Sequence, residues 1–169
     1  PSGAAAAGLL REFSEPAAVI IKHNNPCGVA LGASVLDAYM QARDVDPVSA
    51  YGSVVAINGE VDTHIAEEIC STFVEVIVAP SFSADALEIM KKKENMRVLL
   101  LPDRVEADEV RTIDGGILVQ RTPSYQEHWQ VITDRDPTAD EMKALQLAWK
   151  VCKHTKSNTI IFADQKRTL

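Results

Sequence analysis

Short apolar runs alternate with amphipathic stretches along this chain. Ala17 to Ile21, Val54 to Ile57, Val74 to Ala79 and Val98 to Leu101 are runs of four to six residues rich in aliphatic side chains, the pattern of strands buried on both faces. Helices fill the gaps. One starts at Ser34 with Asp37 three residues on, a second follows Asp62, and a third follows Ser83 and ends at Lys91, Lys92 and Lys93. Those side chains suit the N-cap positions and the carbonyl end of the helix dipole. Thr138 and Glu141 after Pro137 form a capping box for the longest helix, and Met142, Leu145, Trp149 and Cys152 define its apolar face. Asp114, Gly115 and Gly116 separate Val110 to Ile113 from Ile117 to Gln120, a hairpin inserted in the alternation. Thr159 to Ala163 reads as a last strand, and Gly3 to Phe13 as an Ala-rich helix. The order predicts an α/β fold, a sheet layered with helices.

Composition narrows the function classes. Of 169 residues, 46% are hydrophobic and 24% charged, enough apolar material for a sizeable core. Seventeen Lys and Arg against 24 Asp and Glu leave a net charge of −7, which repels a phosphate backbone, so nucleic acid is not an expected partner. The apolar runs fall short of the roughly 18 to 20 residues that cross a bilayer, so no membrane partner is expected either. Cys27, Cys70 and Cys152 are odd in number and widely spaced, which suits reduced thiols in a cytoplasmic protein. No linker or low-complexity tract divides the chain, and residues 1–169 read as a single domain. The two ends suggest excision from a longer polypeptide: a helix with no strand before it, and a stop just past a strand.

Candidate chemistry gathers in three places. Lys22-His23-Asn24-Asn25-Pro26-Cys27-Gly28 follows the first strand and is expected to precede a helix, and ligands of α/β sheets collect at strand carboxyl ends. Neighbours on a strand point to opposite faces, so Lys22 and His23 converge only where the backbone leaves strand geometry, a departure expected from Asn25-Pro26 and Gly28. The plainer reading is a surface lysine and a hydrogen-bonded histidine beside a turn. Asp46-Pro47-Val48-Ser49-Ala50-Tyr51-Gly52-Ser53 enters a strand with small residues whose N–H groups could approach a phosphate or a planar base; its plainer reading is a loop. Lys156-Ser157-Asn158 precedes the last predicted strand, and an amide there could bind a carboxamide through donor and acceptor together. His23 and Cys27 lack further ligands at zinc spacing, and only His23 is at hand as a base for Cys27, so neither a metal site nor a thiol nucleophile is expected. His64, His128 and His154 read as structural or exposed.

Taken in order, these strings resemble the AICAR transformylase region of the bifunctional purine-biosynthesis family, which joins that activity to IMP cyclohydrolase. Phe73 to Pro80, Lys91 to Leu99 and Gly115 to Gln120 extend the resemblance. It implies formyl transfer from 10-formyltetrahydrofolate, as co-substrate and without a catalytic metal, to the 5-amino group of AICAR, giving FAICAR. That amine is a poor nucleophile because its lone pair is delocalised into the ring carboxamide. By resemblance His23 is the base, and Lys22 stabilises the developing oxyanion or helps protonate the leaving folate nitrogen. Gly52 lets the backbone approach AICAR, Glu75 accepts a hydrogen bond from it, and Asn158 holds its carboxamide. The implied fold is a three-layer α/β/α sandwich like that of cytidine deaminases, with a mixed sheet. This chain corresponds to the first of two transformylase subdomains, in a parent enzyme expected to be a homodimer. Ser53 stands where the family usually has a second glycine. The family's second transformylase half and its cyclohydrolase domain have no counterpart here, so the chain alone is expected to be inactive. The competing reading is a catalytically incomplete module for AICAR binding or dimerisation.

Overall fold

The computed structural model describes residues 2–101, 108–121 and 128–169. The chain divides into two compact units, Pro1–Leu101 with Pro137–Leu169, and Pro102–Asp136. The larger begins with helix α1 (Ser2–Leu10) and strands β1 (Ala17–Lys22) and β2 (Asn25–Leu31). Helices α2 (Val35–Val45) and α3 (Pro47–Ala50), strands β3 (Ser53–Ile57) and β4 (Glu60–Val61), and helix α4 (Thr63–Cys70) follow. Strands β5 (Val74–Ala79) and β6 (Ser81–Phe82), helix α5 (Ala84–Met90) and strand β7 (Arg97–Leu100) complete the sheet region. The small unit holds β8 (Glu109–Ile113) and β9 (Gly116–Gln120), an antiparallel hairpin in which Gly115 takes the positive φ of the turn. Helix α6 (Ala139–Lys153) belongs to the larger unit.

The main sheet runs β2-β1-β3-β5-β7. It is mixed: β1 is antiparallel to both β2 and β3, whereas β3, β5 and β7 are parallel. Strand β1 shows why both faces are buried. Ala18 and Ile20 join the core formed with Tyr39 of α2, Ile65 and Ile69 of α4 and Met90 of α5. Ala17, Val19 and Ile21 join the opposite core, formed with Leu9 and Leu10 of α1 and Leu147 and Val151 of α6. Period-two alternation thus feeds two cores, and helices cover the sheet on both sides.

The helix starts fall where local chemistry predicts. Ser34, Asp62 and Ser83 accept hydrogen bonds from the backbone N–H groups of Asp37, Ile65 and Ala86, and the Thr138–Glu141 capping box is complete. Three other expectations are corrected. The Lys22 to Gly28 cluster does not precede a helix; it turns into β2. Thr159 to Ala163 is not a strand: Ala163 forms only an isolated bridge with Thr168, and Ile160 and Phe162 are 81% and 70% exposed. The buried face of α6 is Leu147 and Val151, while Leu145 and Trp149 are 49% and 52% exposed. Apolar residues form two stripes on that helix, and the sheet takes the one that includes Leu147.

The final residues instead cover the outer edge of β2. Leu31 N–H donates to the Lys166 carbonyl at 2.7 Å and Thr168 N–H to the Val29 carbonyl at 3.0 Å, while the Val29 N–H reaches Thr168 Oγ1 at 3.1 Å. On the inner side β2 lies so close to α2 that a Cβ at Gly28 would come within 2.0 Å of the Ala42 carbonyl oxygen.

Asn58 fixes the entry to β1. Its Oδ1 accepts from Ala17 N–H at 2.8 Å, and its Nδ2 donates to the carbonyls of Phe13 at 3.4 Å and Glu15 at 2.6 Å. Asn58→Ala strands these partners, so a loss of about 1 to 3 kcal/mol is expected in urea unfolding. A second clamp joins the end of α1 to the end of α6: Lys153 Nζ and His154 Nε2 both lie 2.8 Å from Glu12 Oε1. Burial alone would raise the Glu12 pKa, but the hydrogen bonds and charges of Lys153 and His154 outweigh it and hold the carboxyl below its usual range. The folded state therefore binds this proton less readily than the unfolded chain. The clamp's contribution is present above the unfolded pKa of about 4.3 and is lost as pH falls through the lower folded value. Melting temperature is expected to drop through that acid window, and Glu12→Gln to flatten the drop.

Candidate functional site

Lys22 and Asn25 are the last paired residues of the β1–β2 hairpin, so His23 and Asn24 form a two-residue loop. Both take positive φ, 51° and 64°, the mark of the type I′ turn, whose twist matches that of the flanking strands. Asn and His tolerate this left-handed region better than most side chains do. The departure from strand geometry therefore occurs at His23 and Asn24 themselves. Asn25 and Pro26 are already back in register, and Cys27 is the extra residue of a bulge between the Ile20–Gly28 and Ile21–Pro26 pairs. The bulge accommodates a proline that cannot donate to the ladder.

Lys22 reaches across to the second cluster. Its Nζ donates to the carbonyls of Tyr51 and Gly52, each at 2.7 Å. Two of the three ammonium donors are thereby used, and the charged head is fixed beside the backbone. Gly52 is required twice over. Its φ is +67°, and a Cβ there would lie 3.1 Å from Lys22 Nζ and 3.4 Å from the Phe73 ring. Its N–H is taken by the Phe73 carbonyl at 2.7 Å.

The preceding residues do not offer an open phosphate cradle. Pro47 to Ala50 form a single helical turn capped by Asp46, whose carboxylate accepts from both the Ser49 N–H and the Ser49 hydroxyl. Those two hydrogen bonds hold the Asp46 pKa down. This carboxylate is a structural cap.

Glu75 is exposed near the start of β5. Ser53 pairs with Val74 and Val54 with Val76, so Glu75 is the bulged residue at the sheet end that also carries Gly52. Between them, the Ser53 hydroxyl is buried with no hydrogen-bond partner among the described residues. Asn158 is exposed in the segment after α6. Its neighbour Lys156 donates its backbone N–H to Asn25 Oδ1 at 3.2 Å, which lays the segment against the hairpin. Among the described residues, Asn158 makes no hydrogen bond to Lys22, His23 or Gly52. The grouping is therefore graded: Lys22 and Gly52 touch, His23 adjoins Lys22, Glu75 shares their end of the sheet, and Asn158 is tied in through Asn25.

This is not simply the carboxyl edge of a parallel sheet. Because β1 runs against β3, its carboxyl end meets the amino ends of β3 and β5. Cys27 is unsuited to nucleophilic work: burial, then the charge of Asp46, raises its thiol pKa to about 11, so it is protonated at neutral pH. Asn24 and Asn25 act as tethers. Asn24 Oδ1 accepts from the Ser2 hydroxyl at 2.8 Å, and Asn25 holds Lys156. Both lie inside the first cluster, but their partners are 22 and 131 residues away, beyond any local signal.

Residues 3–169 match the family described as the AICARFT/IMPCHase bienzyme. Among curated relatives, the bifunctional purine biosynthesis protein PurH of Thermoanaerobacter sp. (strain X514) is 45% identical, with 98% of this chain aligned to 33% of the relative. The PurH of Nostoc punctiforme is 47% identical over 98% of this chain and 33% of its own length. That of Aquifex aeolicus is 46% identical over 95% and 32%. The chain thus spans about a third of the length of these relatives. Acinetobacter baumannii RibD superposes over 57% of this chain and 31% of its own, at 18% identity and a TM-score of 0.45, too partial a likeness to assign a fold family.

Proposed function

Since the chain belongs to the AICARFT/IMPCHase bienzyme family, we propose that it carries the Lys22–His23 centre of an AICAR formyltransferase in purine biosynthesis. The three-layer arrangement is read as that of the cytidine deaminase-like transformylase subdomain, within a cytoplasmic, homodimeric enzyme of family length. Among the described residues, no helix is long and apolar enough to cross a membrane.

The observation that carries the reading is the seating of Lys22. Its ammonium sits 2.7 Å from two backbone carbonyls, which leaves its third N–H to offer to a ligand. In the proposed step the AICAR amine nitrogen forms a bond to the formyl carbon of 10-formyltetrahydrofolate. His23 takes the proton that leaves the amine. The third Lys22 donor meets the formyl oxygen as negative charge builds there. The bond from the formyl carbon to the folate nitrogen then breaks as the carbonyl reforms, and that nitrogen takes up the proton His23 received, which returns the imidazole to its starting form. Gly52 gives AICAR close access to the backbone, Glu75 accepts a hydrogen bond from it, and Asn158 pairs with its carboxamide. The transfer uses protein groups alone, with no catalytic metal.

The test is formyl transfer by a family-length polypeptide containing this segment. Lys22→Arg keeps the charge, but a planar guanidinium cannot take the place of a compact ammonium between the two carbonyls. Turnover is expected to fall at least about tenfold, with AICAR affinity changed less. Near-normal turnover by a folded Lys22→Arg enzyme would remove Lys22 from the chemistry. Comparable turnover by the 169-residue chain alone would show that the segment needs none of the rest, and failure of both proteins to bind AICAR would sink the reading and its module alternative together.

A further inference from the structure

We propose that Asn25 is a positioning residue: its side-chain oxygen registers the segment bearing Asn158 against the turn bearing Lys22 and His23. The inference rests on the formyl-transfer reading above. Asn25 is fixed from two sides. Its backbone pairs with Lys22 as the first rung of the hairpin, and the proline after it holds its own backbone extended. Its side chain therefore leaves the strand in a set direction, and Oδ1 meets the Lys156 N–H at 3.2 Å. Asn158 follows two residues later.

The segment is also held upstream, where Glu12 grips Lys153 and His154 at the end of α6. That clamp refers it to α1. Asn25 refers it to the turn itself, and the turn is steadied in addition by the Ser2–Asn24 hydrogen bond. The contacts close a loop of supports: α1 to turn, turn to segment, segment through α6 back to α1. A surface hydrogen bond contributes little to global stability, so its effect should appear in geometry. Groups that act on one bound molecule must agree in position, and a misplacement of about 1 Å can cost on the order of a hundredfold in rate.

The experiment compares Asn25→Ala, which removes the acceptor, with Asn25→Asp, which keeps an oxygen in place, in the family-length enzyme. In Asn25→Ala, backbone amide exchange over residues 155–158 is expected to speed up about tenfold, with little change in melting temperature. The KM for AICAR is expected to rise by about tenfold, more than kcat falls. Asn25→Asp should recover most of both effects, which a loss of fold would not permit. Asn158→Ala is the control for the reading beneath. Unchanged exchange in Asn25→Ala overturns the tether. Faster exchange with an unaltered KM, where Asn158→Ala does raise KM, overturns the positioning role. An unaltered KM in Asn158→Ala overturns the role of Asn158 in binding, and the function assigned to Asn25 falls with it, whatever the exchange data show.

Discussion

Replacing His23 with asparagine in a family-length enzyme is expected to lower kcat for formyl transfer by about 10²- to 10⁴-fold, the usual worth of a positioned general base. Asparagine is a better probe than alanine because of the local backbone. His23 has a φ of 51°, and most L side chains pay roughly 1 to 2 kcal/mol to enter the left-handed region, whereas Asn enters it readily. His23→Asn should therefore leave the hairpin intact, with melting temperature and AICAR affinity close to wild type. His23→Ala should show the same loss of kcat with an added loss of stability. A purely structural role for His23 predicts a different order, with Asn harmless to turnover and Ala harmful only through stability. Steady-state kinetics, AICAR titration and melting curves for both variants decide the matter. A folded His23→Asn enzyme with normal kcat excludes His23 as the base.

The second large effect concerns stability alone. Gly28→Ala places a Cβ 2.0 Å from the Ala42 carbonyl oxygen and 3.0 Å from its carbon, both backbone atoms of α2 that no rotamer change can move. The helix must shift off the sheet, and it carries Tyr39, a fully buried side chain of the core. Overpacking of this kind costs about 1 to 3 kcal/mol and at times more; with backbone as the obstacle, about 3 kcal/mol is expected, or roughly 6 to 12 °C in melting temperature. Gly3→Ala is the control. Its Cβ would meet only Leu99 Cδ1 at 3.8 Å, and in α1 the change should stabilise by roughly 0.5 to 1 kcal/mol. Equal melting temperatures for Gly28→Ala and wild type would show that α2 does not approach β2 so closely.

These contrasts show what was legible before the fold was known. Ser34, Asp62, Ser83 and Thr138 mark helix starts because a cap is made between residues three apart, and three-residue chemistry is visible in a string of letters. Strand β2 was not legible. Its first half, Asn-Pro-Cys-Gly, carries turn and breaker residues, and it pairs only because a two-residue loop folds it back on β1. Thr159 to Ala163 erred in the opposite direction. Its β-branched and aromatic residues suit a strand, but β-propensity reflects fit to a partner surface, and the edge of β2 is taken by residues 166–168 instead. The site was legible as three clusters. Its assembly was not, because Lys22 meets Gly52 only when β1 and β3 run antiparallel, and the Asn158 segment meets the hairpin only through Asn25.

The covering of β2 also sets a timetable. The Val29–Thr168 contact joins residues 139 apart, and at synthesis rates of about 5 to 20 residues per second the second partner leaves the ribosome roughly 7 to 28 s after the first. The β1–β2 hairpin, closed by its own two-residue loop, can form within microseconds of emergence. Until residues 166–168 emerge, then, the nascent chain holds a formed hairpin whose outer rim of N–H and carbonyl groups is bare, the surface on which a neighbouring chain can add a strand. The segment 166–168 acts as the stopper that ends this exposure.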